Sequence, residues 1–319
     1  VVFRPVLVVA AMVAAVLPAD RLSPHDGAFL PPSRLYVEPR GAPFEQMRAY
    51  EATGRAADAA LIRRIAENPA AAWFADESPG YAARARSLAV NAAAVGRLPV
   101  IVLYHVPHRD CSGQSAGGAA SDSAYRAWVL ALSQALDGQR AIVIIEPDAV
   151  AQTLQGCRGA TGRFALLSDA LRTLSAHRGL KLYLDAGNSA WITDTTRMAR
   201  ALKRAGVGHA DGFALNVANF ETTKDTIAYG VRLSAKLGGA PFVIDTSRNG
   251  NGPAAKGHHH WCNPPGRALG EAPTLATGQP LVDAYLWVKR PGESDGACGR
   301  GAPAAGVWWP SYALSLARG

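Results

Sequence analysis

Apolar runs of strand length recur along the chain, and each stops abruptly at a carboxylate or a carboxamide. In the clearest, Ala-Ile-Val-Ile-Ile (141–145) is followed at once by Glu146-Pro147-Asp148. The same shape appears at Val100–Asp110, Leu180–Asp185, Phe213–Asn219, Phe242–Asp245 and Tyr285–Asp295, and a shorter run, Leu35-Tyr36-Val37, closes at Glu38-Pro39. Between these runs, Ala/Arg/Leu-rich stretches with helical spacing predict helices over 79–95, 121–136, 164–177, 195–205 and 223–237. Strand, loop and helix in alternation predict βα units on a parallel sheet. Right-handed crossovers then place every strand-to-helix loop on one face. Those loops are long, polar and glycine-rich (109–119, 246–252 and 291–301), whereas the opposite connections, such as Asp137-Gly138-Gln139, are tight. The expected fold is a single-domain parallel α/β barrel over residues 34–319, with its functional residues at the C-terminal ends of the strands.

The ends of the chain read differently. Residues 1–17 carry one arginine and an apolar run, followed by Pro18-Ala19-Asp20. That is shorter than the roughly 20 residues of a spanning helix. Residues 1–22 are therefore expected to be a secretory signal, or an uncleaved N-terminal anchor, and 23–33 a Pro-rich arm. No later stretch is apolar and long enough to span a bilayer, so no stable membrane insertion is expected after signal cleavage.

Composition narrows the function classes. Of 319 residues 49% are hydrophobic and 18% charged, which permits a large core and argues against wholesale disorder. The net charge of +8 does not point to nucleic acid, because the Arg and Lys are scattered and do not alternate with aromatics. Four cysteines without a Cys-x-x-Cys spacing argue against a zinc ribbon or a redox centre. In an exported chain they are expected to pair, Cys111 with Cys157 and Cys262 with Cys298, one bridge in each half. Each bridge contributes about 3–4 kcal/mol on the loop-entropy model.

Three aspartates each follow a strand: Asp110, Asp148 and Asp295. Carboxylates gathered at one rim can divide labour, one protonated as general acid and another charged. Inverting glycoside hydrolysis needs that division across roughly 6.5–9.5 Å. A post-strand aspartate can equally cap the next helix or pair with an arginine; three of them beside glycine-rich loops favour chemistry. Other catalytic patterns are missing, with neither a Gly-x-Ser-x-Gly elbow nor a P-loop nor a dinucleotide fingerprint. The adjacent His258-His259-His260 cannot easily face one ion, so neither a metal nor another cofactor is expected. Trp73, Trp191 and Trp261 sit at or beyond strand ends, where flat apolar faces suit stacking on sugar rings. Trp128 on a helix face and Trp287 inside a strand read as core.

The ordered motifs YHVPHRDC (104–111), IIEPDAVA (144–151), YLDAG (183–187), NVANF (216–220), IDTSRNGNGP (244–253), WCNPPGRALG (261–270) and WVKRPGESDGAC (287–298) resemble glycoside hydrolase family 6. The resemblance runs from about Leu35 to Ala317. It implies a distorted TIM-like parallel barrel of seven or eight strands and an inverting β-1,4-glucanase. By the resemblance Asp148 is the general acid, and Asp110 is the neighbouring carboxylate that keeps it protonated and relays a proton from water. Asp295 is the third rim aspartate, and Tyr104 presses on the distorted sugar. Asp185, Asn219, Lys289 and Glu293 match positions that hydrogen-bond the glucan, while Trp73, Trp191 and Trp261 match its stacking platforms. The partner so implied is β-1,4-glucan, cellulose or cello-oligosaccharide, acted on by a secreted monomer.

Two positions depart from the family pattern: Ala116 stands where many members have a serine that holds the attacking water, and Asn188 where many have histidine. The disulfide loops enclose little extra sequence, which predicts an open cleft and internal (endo) cleavage. With neither a separate carbohydrate-binding module nor a long linker, soluble glucan is the expected substrate rather than crystalline cellulose. The alternative is a catalytically weak or non-catalytic glucan-binding protein on the same scaffold.

Overall fold

The computed structural model describes residues 1–2, 34–157, 159–255, 257 and 260–319. From residue 3 onward the expected signal and Pro-rich arm lie outside the described residues, as do His258 and His259. The strands in chain order are β1 (Arg34–Leu35), β2 (Ala72–Phe74), β3 (Arg97–Leu98), β4 (Val100–Leu103), β5 (Ala141–Ile145), β6 (Leu180–Asp185), β7 (Gly212–Leu215), β8 (Phe242–Asp245) and β9 (Val282–Leu286). Seven of them form one all-parallel sheet in the order β2-β4-β5-β6-β7-β8-β9, while β1 and β3 pair apart from it. Leu35 lies on this side sheet rather than in the main one.

The central strands are runs of Val, Ile, Leu and Phe because both of their faces are covered. Val100, Val102, Ile142, Ile144, Tyr183, Ala214, Val243, Ala284 and Leu286 point into a cluster that no helix residue joins, the inside of the curl. Their sequence neighbours Ile101, Leu103, Val143, Ile145, Leu182, Leu184, Phe213, Leu215, Phe242 and Ile244 pack beneath the surrounding helices. The sheet is therefore a barrel of seven strands left open between β2 and β9. Two hydrogen bonds cross that seam: Ala71 N–H to the Trp287 carbonyl at 3.0 Å, and the Trp73 indole N–H to the Val288 carbonyl at 2.8 Å.

The helices are α1 (Ala42–Ala52), α2 (Ala56–Ala66), α3 (Tyr81–Ala94), α4 (Asp122–Ala135), α5 (Ala149–Leu154), α6 (Arg163–Ser175), α7 (Thr195–Arg204), α8 (Thr223–Lys236) and α9 (Pro310–Arg318). The starts of α4, α7 and α8 have local causes, since Ser121, Asp194 and Thr222 accept first-turn amides through their side chains. Helices α1, α2 and α9 answer to no predicted element and share a small core of Tyr50, Ile62, Ile65, Ala313 and Leu314. Trp128 is buried in the helix layer and Trp287 just past β9, both as core residues. Among the described residues no helix is long and apolar enough to cross a membrane.

Helix α8 lies so close to β8 that a Cβ on Gly230 would stand 2.3 Å from Phe242 Cζ. Gly230→Ala gains roughly 1 kcal/mol of helix propensity but overpacks the core at a cost of about 1–3 kcal/mol. A net loss of unfolding free energy in urea titration is expected; a gain would show that the ring has room to move.

Candidate active site

The polar residues that end the strands are tied to the loops of neighbouring strands. Glu146, just past β5, accepts the His105 N–H on both oxygens and the Val106 N–H on Oε2, each at 3.0 Å. Asp185, the last residue of β6, accepts the Asp148 N–H at 2.9 Å and the Gly187 N–H at 3.0 Å on one oxygen. Asp245, ending β8, accepts N–H groups of Ala218, Ser247 and Lys289 at 2.9 Å. Asn216, past β7, donates to the Asp245 carbonyl at 2.9 Å. These loops need such anchors, because Glu146, Asp148, Asn216 and Ala218 all have left-handed backbones, with φ of 46°, 69°, 65° and 55°. Each such conformation costs of order 1–3 kcal/mol, and a charge-assisted hydrogen bond offsets about 1.5–3 kcal/mol.

Burial raises all three acids. Glu146 is pushed up to about 7 against the pull of the His105 and Val106 amides. Asp185 is also pushed to about 7 by burial, opposed by its two amides and assisted by the charge of Asp245. Asp245 rises for the same reason, with four hydrogen bonds holding it back.

Asp148 occupies the N-cap position of α5, yet its side chain makes no capping bond. The capping alternative therefore does not apply, and the residue as a whole is half-buried at the rim. Burial against the protein, then the charges of Asp185 and Asp110, hold that carboxyl well above the usual carboxylate range. Asp110 opens a 3-10 turn (Asp110–Ser112). Its Oδ2 accepts the Ser115 N–H at 2.6 Å and its Oδ1 accepts the Gln152 amide N–H at 3.1 Å. Burial raises Asp110 as well, with Ser115, Gln152 and Arg109 opposing. Gln152 lies one turn beyond Asp148 on α5, so this short helix links the two aspartates. The Asp110 loop leaves no room for a side chain at Gly113, whose Cβ would stand 2.5 Å from Asp110 Oδ2. Ala116 is exposed; its neighbour Ser115 supplies the backbone contact to Asp110.

Tyr104 is buried, edge-on to Trp73 at 5.3 Å, with the Arg109 guanidinium 4.8 Å from its ring. Burial first, then the charges of Asp148 and Asp110, raises its phenol well above the usual value. Arg109 donates to the Ala75 and Tyr104 carbonyls at 2.7 Å and to the Ser115 carbonyl at 2.8 Å, which joins the loops after β2 and β4.

Asp295 does pair with an arginine. Its Oδ2 accepts from Arg248 Nη1 at 2.8 Å and from the Asn263 N–H at 2.9 Å, and Lys289 Nζ lies 3.9 Å from Oδ1. Lys289 also donates to the Ser294 carbonyl at 3.0 Å, and burial lowers its ammonium despite Asp295. Glu293 accepts from Arg290 at 3.1 Å, and Asn219 donates its amide to the Val217 carbonyl at 2.9 Å. Trp191 is half-buried behind Gly187 and Trp261 is exposed. Both expected disulfides are present, Cys111–Cys157 with Cα atoms 5.6 Å apart and Cys262–Cys298 at 6.4 Å. The two loops they hold meet over the open seam, where a Cβ on Gly296 would stand 2.4 Å from Gln114 Cβ.

Glu146, Arg109, Ser115, Gln152 and Arg248 were not singled out from sequence. Gln152, at i+4 from Asp148, carried a readable signal; the others act through contacts distant in sequence. Among the described residues no group of His, Cys, Asp and Glu could hold a metal ion.

The family model described as glycosyl hydrolases family 6 matches residues 31–319. The chain belongs to that family. It is 45% identical over 291 residues to endoglucanase A of Cellulomonas fimi, an alignment covering 90% of this chain and 62% of that protein. It is 39% identical over 296 residues to endoglucanase 1 of Streptomyces halstedii, covering 89% and 88%. The structure of the Mycobacterium tuberculosis endoglucanase Cel6, bound to methyl-cellobiosyl-4-deoxy-4-thio-β-D-cellobioside, superposes with a TM-score of 0.85 at 41% identity, covering 91% of this chain and 98% of that one. The seven-strand curled sheet is thus the distorted barrel of family 6.

The raised acids set the pH dependence of stability. Glu146 and Asp185 start from ordinary values of 4.5 and 3.8 and reach about 7 when folded. Between about 4 and about 7 the native state therefore binds more protons than the unfolded chain, and stability falls as pH rises. The acids with lowered values, Asp58, Asp76, Asp169 and Asp194, act below that window. A melting temperature lower at pH ~8 than at pH ~5 is expected; the opposite order would show these carboxyls to be ionised at little cost.

Proposed function

We propose that this protein is an endo-β-1,4-glucanase that hydrolyses internal β-1,4-glucosidic bonds of cellulose or cello-oligosaccharides with inversion at the anomeric carbon. One observation carries the reading: at the C-terminal rim burial and two neighbouring acids hold the Asp148 carboxyl well above the usual carboxylate range, in a residue that is itself only half-buried. Family membership and relatives named endoglucanases supply the reaction class. The chain spans 62% of the length of the Cellulomonas fimi relative, so the reading concerns the part they share.

In this mechanism Asp148 gives its proton to the glycosidic oxygen as the bond to C1 breaks, and the leaving chain departs with a free 4-hydroxyl. Water attacks C1 from the opposite face, and its proton passes towards Asp110, whose carboxylate is held by Ser115 and Gln152. The product is the α-anomer. Tyr104, braced by Trp73 and Arg109, presses on the sugar at the cleavage point. Asp295, committed to Arg248 and near Lys289, orients that cation for the glucan rather than taking the water's proton. Asp185 is fully enclosed and acts through the Asp148 backbone. Asn219, Lys289 and Glu293 hydrogen-bond the chain, and Trp73, Trp191 and Trp261 stack against it. Two disulfides fit an oxidising compartment, which supports secretion.

Asp148→Asn is expected to lower the rate on carboxymethylcellulose about 10²–10⁴-fold, the usual contribution of a general acid, while the circular dichroism stays unchanged. Wild-type activity in that variant would remove Asp148 from its role. Proton NMR of early product is expected to show the α-hemiacetal first, and a β-anomer would exclude inversion. Viscosity should fall ahead of reducing-end release. Binding of cello-oligosaccharides without any turnover by the wild type would instead support a glucan-binding protein.

A further inference from the structure

Helix α6 begins with a residue that a helix start disfavours. Arg163 is its first residue, where a cation meets the positive end of the helix dipole, and it is 2% exposed. A buried charge is costly unless it is paired. Among the described residues the hydrogen bonds of Arg163 go to backbone carbonyls rather than to a carboxylate: Nη2 donates to Pro107 at 3.1 Å and to His108 at 2.9 Å. Its Nη1 lies 3.7 Å from Cys157 Sγ and 4.0 Å from Cys111 Sγ.

These contacts bracket Asp110. The two carbonyls belong to the residues three and two before it, and the disulfide begins one residue after it. Within this short stretch His108, Asp110, Cys111 and Ser112 all have left-handed backbones, with φ of 55°, 57°, 48° and 73°. Non-glycine residues hold that conformation only where surrounding groups over-determine it. The disulfide fixes Cys111, and the His108 peptide plane is held as well by the Cys111 N–H on its carbonyl at 3.2 Å and by the Arg109 N–H on the Gly117 carbonyl at 3.0 Å. The planar fork of Arg163 ties the Pro107 carbonyl to that of His108, so that the turn is fixed relative to α6, and its other nitrogen lies against the disulfide. A residue that breaks the local rule of its own helix while ordering a loop elsewhere is serving that loop.

We propose that Arg163 is a positioning residue for Asp110: through the Pro107 and His108 carbonyls and the Cys111–Cys157 bridge it holds the Asp110 carboxylate where Ser115 and Gln152 bind it. This rests on the reading of Asp110 as the carboxylate that receives the water's proton. Arg163→Lys keeps the charge and loses the fork; Arg163→Met loses both. For Arg163→Lys, kcat on soluble β-1,4-glucan is expected to fall at least about tenfold with KM within about twofold, since a displacement of about 1 Å can cost about 10²-fold. Hydrogen–deuterium exchange is expected to quicken in the 107–118 segment and to stay unchanged in β5 and β6. The alkaline limb of the kcat/KM profile is expected to move as the Asp110 charge shifts relative to Asp148. A folded Arg163→Lys with wild-type kcat and wild-type exchange in 107–118 overturns the proposal, as does a lowered melting temperature with unchanged kcat per folded molecule. Where Arg163→Met does not accumulate as folded protein, Arg163→Lys decides. A wild type that cleaves no β-1,4-glucan fails the functional reading alone, because the exchange measurement still reports whether Arg163 orders the loop.

Discussion

The structure depends on buried carboxylates at strand ends that accept amide hydrogens from the loops of neighbouring strands. Glu146 holds the chain after β4, Asp185 the chain after β5, and Asp245 the chains after β7 and β9. Each bond crosses from one βα unit to another, so the rim is laced together rather than built from independent loops. Two consequences follow. Left-handed residues such as Asp148 and Ala218 can be held although they are not glycine, and several acids come close together in a setting where ionisation is costly.

That crowding separates the roles of chemically identical groups. Among the described residues Asp148 has no side-chain capping bond, and burial with the charges of Asp185 and Asp110 raises its carboxyl well above the usual range. Asp110 has two hydrogen-bond donors that favour its charged form. Asp295 faces Arg248 and Lys289 and serves as a counter-charge. Burial pushes Asp148 and Asp110 towards neutrality, and the donors around Asp110 oppose it.

Several features were legible in the chain. The carboxylate-ended apolar runs announced the parallel barrel, because strand residues covered on both faces must be continuously apolar. The five predicted helices appear within two residues of their expected ends, since Ser121, Asp194 and Thr222 are local start signals. Both cysteine pairs formed as expected. Less legible were α1, α2 and α9, whose shared core joins Tyr50 and Ile62 to Leu314 across most of the chain. Glu146 was equally hidden: it looks like any rim acid beside Asp148, yet it is fully enclosed.

Sequence alone determined the strand-and-helix alternation, the polar face, the pairing of cysteines and the candidate acids, because these depend on local periodicity and residue chemistry. Only the tertiary structure decided that β2 and β9 leave a seam spanned by Ala71 and Trp73, that Asp295 is committed to Arg248, and that Arg163 lies behind the Asp110 loop. The physical reason is range. Periodicity and capping act over a few residues, whereas proton affinity and loop geometry are set by burial and by partners that the fold brings from far along the chain.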